Sequence, residues 1–122
     1  MEKQKQTGGN PANIQTALKK ATTEMMVLYL LREKPMYTYE MMNAIEERSG
    51  GDIKFNTLYL SIYRLEERGY IREHDKVMSE DNRARIYFAI TDAGSAYLDT
   101  LIQEYKRYTA ALARVLELDQ RG

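Results

Sequence analysis

The chain has 122 residues, of which 43% are hydrophobic and 30% are charged, so we expect it to bury one core and form one domain. Eighteen basic residues balance eighteen acidic ones, so the overall charge is not that of a nucleic-acid binder and any positive face must be local. Cysteine is absent, which excludes disulfides and thiolate chemistry and suits the cytoplasm. The longest apolar run, residues 25–31, is too short to cross a membrane, and no signal peptide is predicted.

The first half of the chain predicts a tail followed by helices. Residues 1–10 are polar and unperiodic, so we predict a flexible tail there, with helix only from Pro11 onward. A short helix is predicted up to Lys20, then a new N-cap at residues 22–24 and a mostly buried helix that ends before Pro35. Residues 39–46 show helical spacing, and Ser-Gly-Gly at 49–51 ends that helix.

The stretch FNTLYLSIYRLEERGYI, residues 55–71, predicts a short amphipathic helix. Its apolar face is formed by Leu58, Ile62 and Leu65 at helical spacing, and Asn56 is the predicted N-cap. On the opposite side lie residues that a core does not need: Thr57, Leu60, Ser61, Arg64 and Arg68. Two short helices joined by a tight link, the second with a polar outer face, predict a helix-turn-helix.

A change of period after Gly69 predicts a β-hairpin. In YIREHDKV, Ile71, Glu73 and Asp75 alternate with Tyr70, Arg72, His74 and Lys76, so the two sets fall on opposite faces of a strand. RIYFAIT is rich in β-branched and aromatic residues, and Asp81-Asn82 between the two segments suits a turn. The predicted fold is therefore mainly α with a small two-stranded β-hairpin (α+β), a winged helix-turn-helix.

One long C-terminal helix is predicted from Asp92, capped by Thr91, to about residue 118. It carries an apolar seam at steps of three and four, formed by Leu98, Leu101, Tyr105, Tyr108, Leu112 and Val115. The rest of the chain is too small to cover this seam, so we predict a homodimer through it. The predicted organisation is a tail at 1–10, a winged helix-turn-helix domain at 11–91 and a dimerisation helix at 92–122.

Three segments together resemble one known family: EMMVLYLLREKPMYTYEMMNAIEERSGG, NTLYLSIYRLEERGYI and RARIYFAITDAG, followed by the long C-terminal helix. They resemble the PadR family of winged-helix transcriptional regulators, in its short subgroup with a single C-terminal helix. The resemblance covers roughly residues 22–118. It implies a dimeric DNA-binding repressor on a pseudo-palindromic operator in double-stranded DNA. The chain departs from the usual pattern at Thr38, at Phe55-Asn56 and at Leu60.

Residues suited to DNA recognition lie on the predicted third helix and the hairpin. Small polar or basic side chains that could enter the major groove are Asn56, Thr57, Ser61 and Arg64, while Leu60 could meet a thymine methyl group. Phosphate or minor-groove contacts are predicted for Tyr59, Tyr63, Arg83, Arg85, Lys20 and Lys54. Glu80 and Asp81, at the tip of the hairpin, should repel phosphate.

Structural interpretations compete with several of these roles. Tyr59 and Tyr63 could be half-buried packing residues, Arg64 could pair with Glu67, and Arg85 could partner an acidic side chain. Family members are similar in holding an aromatic or cationic effector between the N- and C-terminal helices. In this chain Met25, Met26, Tyr29 and Tyr97 could line such a space or belong to the dimer core.

Catalytic and metal sites are not predicted. The single histidine, His74, lies in the hairpin, no glycine-rich phosphate loop follows a strand, and no ligand cluster is present, so we expect no enzyme, no metal and no cofactor. The competing function is a winged helix that binds only protein, which would explain the balanced charge and the outward Leu60. Basic residues gathered on one face would favour DNA, and acidic residues there would favour protein.

Overall fold

The computed structural model describes residues 9–78 and 80–118, in four helices and three strands. In chain order these are α1 (Pro11–Glu33), β1 (Met36–Tyr37), α2 (Thr38–Arg48), α3 (Tyr59–Glu67), β2 (Ile71–Met78), β3 (Ala84–Ile90) and α4 (Asp92–Val115). Helix α2, the link 49–58 and α3 form the predicted helix-turn-helix, and β2 with β3 forms its wing. The α+β winged-helix prediction is confirmed. Most of the predicted tail, residues 1–8, lies outside the described residues.

Helix α1 is one continuous helix, so the predicted break at residues 22–24 is wrong. Its N-cap is Asn10, whose Oδ1 accepts the backbone N–H of Ala12 at 3.0 Å. The hydroxyls of Thr22 and Thr23 donate to the carbonyls of Leu18 and Lys19, at 2.7 and 2.6 Å, inside the helix. Threonines that bond back by four residues leave the helix intact, whereas a cap would require it to start there.

The sheet has three antiparallel strands in the order β1-β3-β2, so the predicted two-stranded sheet lacked β1. Met36 pairs with Phe88 and Tyr37 with Tyr87, which ties the entry of α2 to the wing. In the hairpin Glu73 pairs with Phe88 and Asp75 with Tyr87, leaving the intervening residue as a bulge. Asn82 has a φ of 68° in the turn, as the turn prediction requires.

The core joins all the helices to the sheet. Its fully buried side chains include Val27 and Leu28 of α1, Met41 of α2, and Leu58 and Leu65 at α3. The predicted inner face of α3 (Leu58, Ile62 and Leu65) is therefore confirmed. The helix itself begins at Tyr59 with Leu58 as its N-cap, and the hydroxyl of Thr57 accepts the Tyr59 N–H at 3.1 Å just before it. The predicted cap at Asn56 is wrong, and both Asn56 and Thr57 precede the helix.

The start of α4 is fixed against the wing. Thr91 caps it by accepting the Gly94 N–H at 3.0 Å, as predicted, and donates its own hydroxyl to the Gly69 carbonyl at 2.7 Å. A Cβ at Gly94 would overlap the carbonyl oxygen of Tyr70, so the helix can approach this closely only with glycine there. Leu98 is wholly buried in this core. It therefore cannot belong to an exposed seam, which corrects its place in the predicted dimer interface.

Candidate nucleic-acid interface

Helix α3 presents its polar side outward, although the outer face is not entirely polar. Arg64 is exposed and forms no ion pair with any described residue, whereas Ser61 is half-buried. Tyr59 and Leu60, in the first turn, are 72% and 55% exposed. The structure thus leaves the N-terminal turn of α3 and Arg64 accessible to a partner.

A cleft of about 750 Å³ lies between α3 and the wing, and we call it the α3–wing cleft. It brings together five of the predicted contact residues, Thr57, Tyr59, Tyr63, Arg83 and Arg85. Its other walls are Tyr37, Thr38, Tyr39, Ile62, Glu66, Glu73, Ala84, Ile86 and Phe88. The remaining predicted residues (Asn56, Leu60, Ser61, Arg64, Lys20 and Lys54) are not part of these walls.

The two wing arginines differ in their surroundings. Arg83 is strongly exposed and lies 3.7 Å from the Asp81 carboxylate, measured from Nε to Oδ2. Arg85 is half-buried, and its guanidinium lies 4.7 Å from the centre of the Tyr37 ring, which meets Tyr87 edge to face. Arg85 therefore packs on an aromatic residue and not on the acidic partner that the sequence suggested, while its charge still faces the α3–wing cleft.

Tyr63 is held by its own helix. Its hydroxyl donates to Oε2 of Glu67 at 3.3 Å, one helical turn later. The negative charge of Glu67, and then this hydrogen bond, raise the pKa of Tyr63 above its ordinary value. Glu67 accepts from Tyr63, and the ion pair that the sequence suggested between Arg64 and Glu67 is not among those of the described residues.

The two predicted lysines are both exposed, and a third lysine makes the closer contact. Lys54 pairs with Glu46 at 3.6 Å. Lys19, which the sequence analysis did not select, donates from Nζ to the carbonyl of Lys54 at 2.7 Å and lies 5.0 Å from the centre of the Phe55 ring. Lys19 thus connects α1 to the segment that leads into α3.

Sequence reasoning also missed Tyr37 and Tyr39 as residues of the α3–wing cleft. Tyr39 is 61% exposed at the start of α2, and Tyr37 supports Arg85. The signal was the spacing Tyr-x-Tyr that begins two residues after Pro35, which places one tyrosine in a short strand and the next on the first turn of a helix.

Three of the four residues predicted to line an effector space lie around one cavity of the chain. Met25, Met26 and Tyr29 line an almost wholly apolar cavity of about 350 Å³, which we call the α1 cavity; its other walls are Leu30, Ile45, Arg48, Ser49, Ile53 and Ile102. Tyr97 is not among them. It stacks on Tyr70 with ring centres 4.2 Å apart, and burial raises its pKa, with a smaller contribution from the charge of Glu24.

The distal half of α4, residues 103–115, carries the exposed part of the predicted seam. Tyr105, Tyr108, Leu112 and Val115 are all exposed, while Leu101 is half-buried against the core. No helix in the described ranges is long and apolar enough to cross a bilayer. Residues 9–78 and 80–118 likewise hold no group of three or more His, Cys, Asp or Glu side chains that could bind a metal ion.

Comparison with known proteins gives consistent matches. A family model described as the transcriptional regulator PadR-like family matches residues 27–100. An uncharacterised protein of Lysinibacillus sphaericus is 32% identical over 101 residues, which cover 81% of this chain and 88% of that protein. The structure of a PadR family transcriptional regulator from Eggerthella lenta superposes with a TM-score of 0.75 at 27% identity, covering 87% of this chain and 91% of that one. A transcriptional regulator from Clostridium thermocellum superposes at 0.72 and 25% identity, with 80% and 96% covered.

Proposed function

Because the chain belongs to the PadR-like family of transcriptional regulators, and is therefore a regulator and not an enzyme, we propose that it binds specific double-stranded DNA as a cytoplasmic homodimeric repressor. The observation that carries this proposal is the arrangement around α3. The exposed first turn and Arg64 lie on α3, and the α3–wing cleft beside it holds Arg83 and Arg85. Sequence-specific DNA binding requires a recognition helix that contacts the bases and nearby cationic side chains that contact the phosphates.

The dimensions of α3 suit the major groove. A helix with its side chains is about 10–12 Å across and the major groove is about 12 Å wide, so the N-terminal turns of the nine-residue α3 can enter the groove and reach base edges. In this proposal Leu60, Ser61 and Arg64 face bases, and the backbone of Asn56 and Thr57 enters the groove ahead of them. Arg64 is exposed and carries the guanidinium group that a bidentate contact to guanine requires.

Phosphate contacts surround this helix in the proposal. Arg83 and Arg85 face the phosphates of the DNA strand that passes the wing, and Tyr59 contributes a hydroxyl from the α3–wing cleft. Lys20 and Lys54 contact phosphate from α1 and the link, with Lys54 exchanging its weak exposed pair with Glu46 for a phosphate oxygen. Tyr63 contributes only after its hydroxyl leaves Glu67.

The homodimer proposal rests on two apolar surfaces that one chain leaves uncovered. One is the stripe Tyr105, Tyr108, Leu112 and Val115 on the distal half of α4, with Leu101 at its base. The other is the α1 cavity, whose walls are almost wholly apolar. In this proposal a second copy covers the stripe and the opening of the α1 cavity, and a two-fold dimer reads a pseudo-palindromic operator.

The proposal also includes an aromatic or cationic effector, bound beside Met25, Met26 and Tyr29 and without Tyr97. Walls from α2 and from Ile53 connect the α1 cavity to the link that leads into α3. A ligand there changes DNA affinity only if it binds the free and DNA-bound arrangements with different affinity.

The proposal can be tested by fluorescence anisotropy with two duplexes, one from the region upstream of the gene and one of scrambled sequence. Binding is measured at about 50 and 200 mM salt, because several phosphate contacts predict a steep loss of affinity between these concentrations. Arg64→Ala is compared with Arg114→Ala, which removes the same charge from the exposed end of α4. We expect sequence-specific, salt-dependent binding that Arg64→Ala loses and Arg114→Ala keeps.

Equal binding to both duplexes at low salt would contradict the proposal. Tyr59, Leu60 and Tyr63 would then form the docking patch of a winged helix that binds protein, since all three are large and exposed on one short helix.

A further inference from the structure

The outward face of α3 has an apolar side chain in its first turn. Leu60 is the second residue of the helix, and it is 55% exposed. At about 100° per residue, Leu60 points almost directly away from the buried pair Ile62 and Leu65. It does not line the α3–wing cleft, so neither the core nor the wing covers it.

The chemistry of this face changes along the helix. Leu60 lies at the N-terminal end, Tyr63 and Arg64 follow one turn later, and Glu67 ends the face with the Tyr63 hydroxyl bound to it. Only the N-terminal end is aliphatic. That is the end of a recognition helix whose side chains contact base edges in the major groove.

A leucine side chain has no hydrogen-bond donor or acceptor to offer a base. The apolar group that bases present in the major groove is the C5-methyl of thymine, whereas other base edges there present donors or acceptors that leucine would leave unpaired. From this match we propose that Leu60 is a specificity-determining residue that selects thymine through its methyl group. The inference rests on the proposed DNA-binding function and adds the base that one position reads.

The expected effect is small and measurable. Losing one buried methyl group corresponds to an affinity loss of about fourfold. A two-fold dimer places Leu60 at both half-sites, so removing the methyl from both gives a loss of roughly fifteenfold.

The experiment replaces thymine by uracil, which removes the methyl group and leaves every hydrogen-bonding atom in place. Wild-type protein first selects duplexes from a random pool, and the consensus duplex is then synthesised with each thymine in turn changed to uracil. Dissociation constants are measured for wild type, Leu60→Ala and Leu60→Met. A uracil outside the protected region is the DNA control, and circular dichroism checks the fold, which an exposed position should not disturb.

The proposal expects one symmetry-related thymine pair whose change to uracil weakens wild type about fourfold per half-site. In Leu60→Ala the same change should alter affinity less than twofold, because the apolar partner is already gone. Leu60→Met, which keeps an apolar side chain of similar reach, should restore most of the discrimination.

Two other outcomes overturn the inference and are distinguishable. A clear consensus at which every thymine-to-uracil change affects wild type and Leu60→Ala equally would show specific binding in which Leu60 does not contact a thymine methyl group. That outcome would leave the proposed function standing. Failure to select any consensus would remove sequence-specific DNA binding itself, and the role of Leu60 with it.

Discussion

The outer face of α3 and the distal half of α4 both leave large side chains in solvent, and the two regions differ in what surrounds those side chains. On α3 the exposed Tyr59, Leu60 and Tyr63 stand among charged groups, with Arg64 beside them and Arg83 across the α3–wing cleft. On α4 the exposed side chains repeat at helical spacing, as a stripe that runs from Tyr105 to Val115.

The difference indicates two kinds of partner. A mixed surface of aromatic, aliphatic and cationic groups suits a polyanion whose bases and phosphates need different contacts. A periodic apolar stripe suits another apolar helix, because burying it removes hydrocarbon from water and requires no charge. Substitutions that introduce charge should therefore be severe within the α4 stripe, and substitutions that remove charge should matter most near α3.

Leu112→Glu is expected to have the largest effect. A carboxylate buried unpaired in the proposed dimer interface costs about 3 kcal/mol or more, so the dimer dissociation constant should rise at least about a hundredfold. DNA affinity should fall with it, because two half-sites would no longer be held together. Sedimentation velocity across a concentration series measures the change.

Ala110→Glu is the matched control, since Ala110 is exposed on the same helix and points away from the stripe. The dimer dissociation constant of this variant should stay near that of wild type. A Leu112→Glu protein that sediments like wild type would remove the distal half of α4 from the interface.

Lys19→Met should have the next largest effect. It removes both the 2.7 Å hydrogen bond to the Lys54 carbonyl and the contact with the Phe55 ring, so the link into α3 loses its tie to α1. We expect roughly fivefold weaker DNA binding, in line with the loss of one charge-assisted hydrogen bond. Lys19→Arg, which keeps the charge, should restore most of it.

The salt dependence separates positioning from phosphate contact. Lys19→Met should leave the slope of log affinity against log salt unchanged, whereas Lys20→Met should reduce the slope by about one contact. A reduced slope in Lys19→Met would instead make Lys19 a direct phosphate ligand.

Much of the fold could be predicted because the ends of the periodic hydrophobic segments coincide with residues that cap or terminate helices. Leu58, Ile62 and Leu65 repeat at helical spacing, and Gly69 ends that helix with a φ of 78°. Thr91 likewise marks the start of α4. The break at Thr22 was wrong because a threonine that caps a helix and one that bonds back within it look alike in sequence.

The candidate site was less predictable because its contacts are tertiary. Strand β1 has two residues and is too short for a period, yet it brings Tyr37 beneath Arg85. Lys19 and Lys54 are far apart in sequence and meet only after α1 packs against the link. Leu98 shares the helical phase of the α4 seam, so only packing shows that it lies in the core. The residue types were enough to predict candidate site residues, whereas the contacts that those residues make could be identified only from the fold.

Arg83→Ala tests the charge on the wing and should weaken DNA binding about threefold to fivefold, with the salt slope reduced by about one. Its exposed pair with Asp81 contributes little to stability, so the melting temperature should not change. Arg85→Ala is the contrasting variant, because loss of the contact with Tyr37 should also lower the melting temperature. An unchanged salt slope in Arg83→Ala would remove the wing tip from the DNA contact.

Glu67→Gln should give the smallest change, and in the opposite direction. It removes a negative charge from the outer face of α3 and weakens the hold on the Tyr63 hydroxyl, so DNA affinity should rise about twofold to threefold. Glu66→Gln is the matched control, since Glu66 faces the α3–wing cleft without binding that hydroxyl. Equal gains in both variants would mean that general charge, and not the Tyr63 contact, limits binding.

The same variant has a pH signature that does not depend on DNA. The Glu67 carboxylate disfavours the tyrosinate and raises the pKa of Tyr63, so the folded protein binds the phenolic proton of Tyr63 more tightly than the unfolded chain does. The resulting stability is present below the ordinary tyrosine pKa of about 10 and is lost as pH rises through the higher folded value. In Glu67→Gln the ultraviolet titration of Tyr63 should therefore move to lower pH, and Tyr63→Phe identifies its share of the signal. A titration that stays in place would show that Glu67 does not hold the hydroxyl in solution.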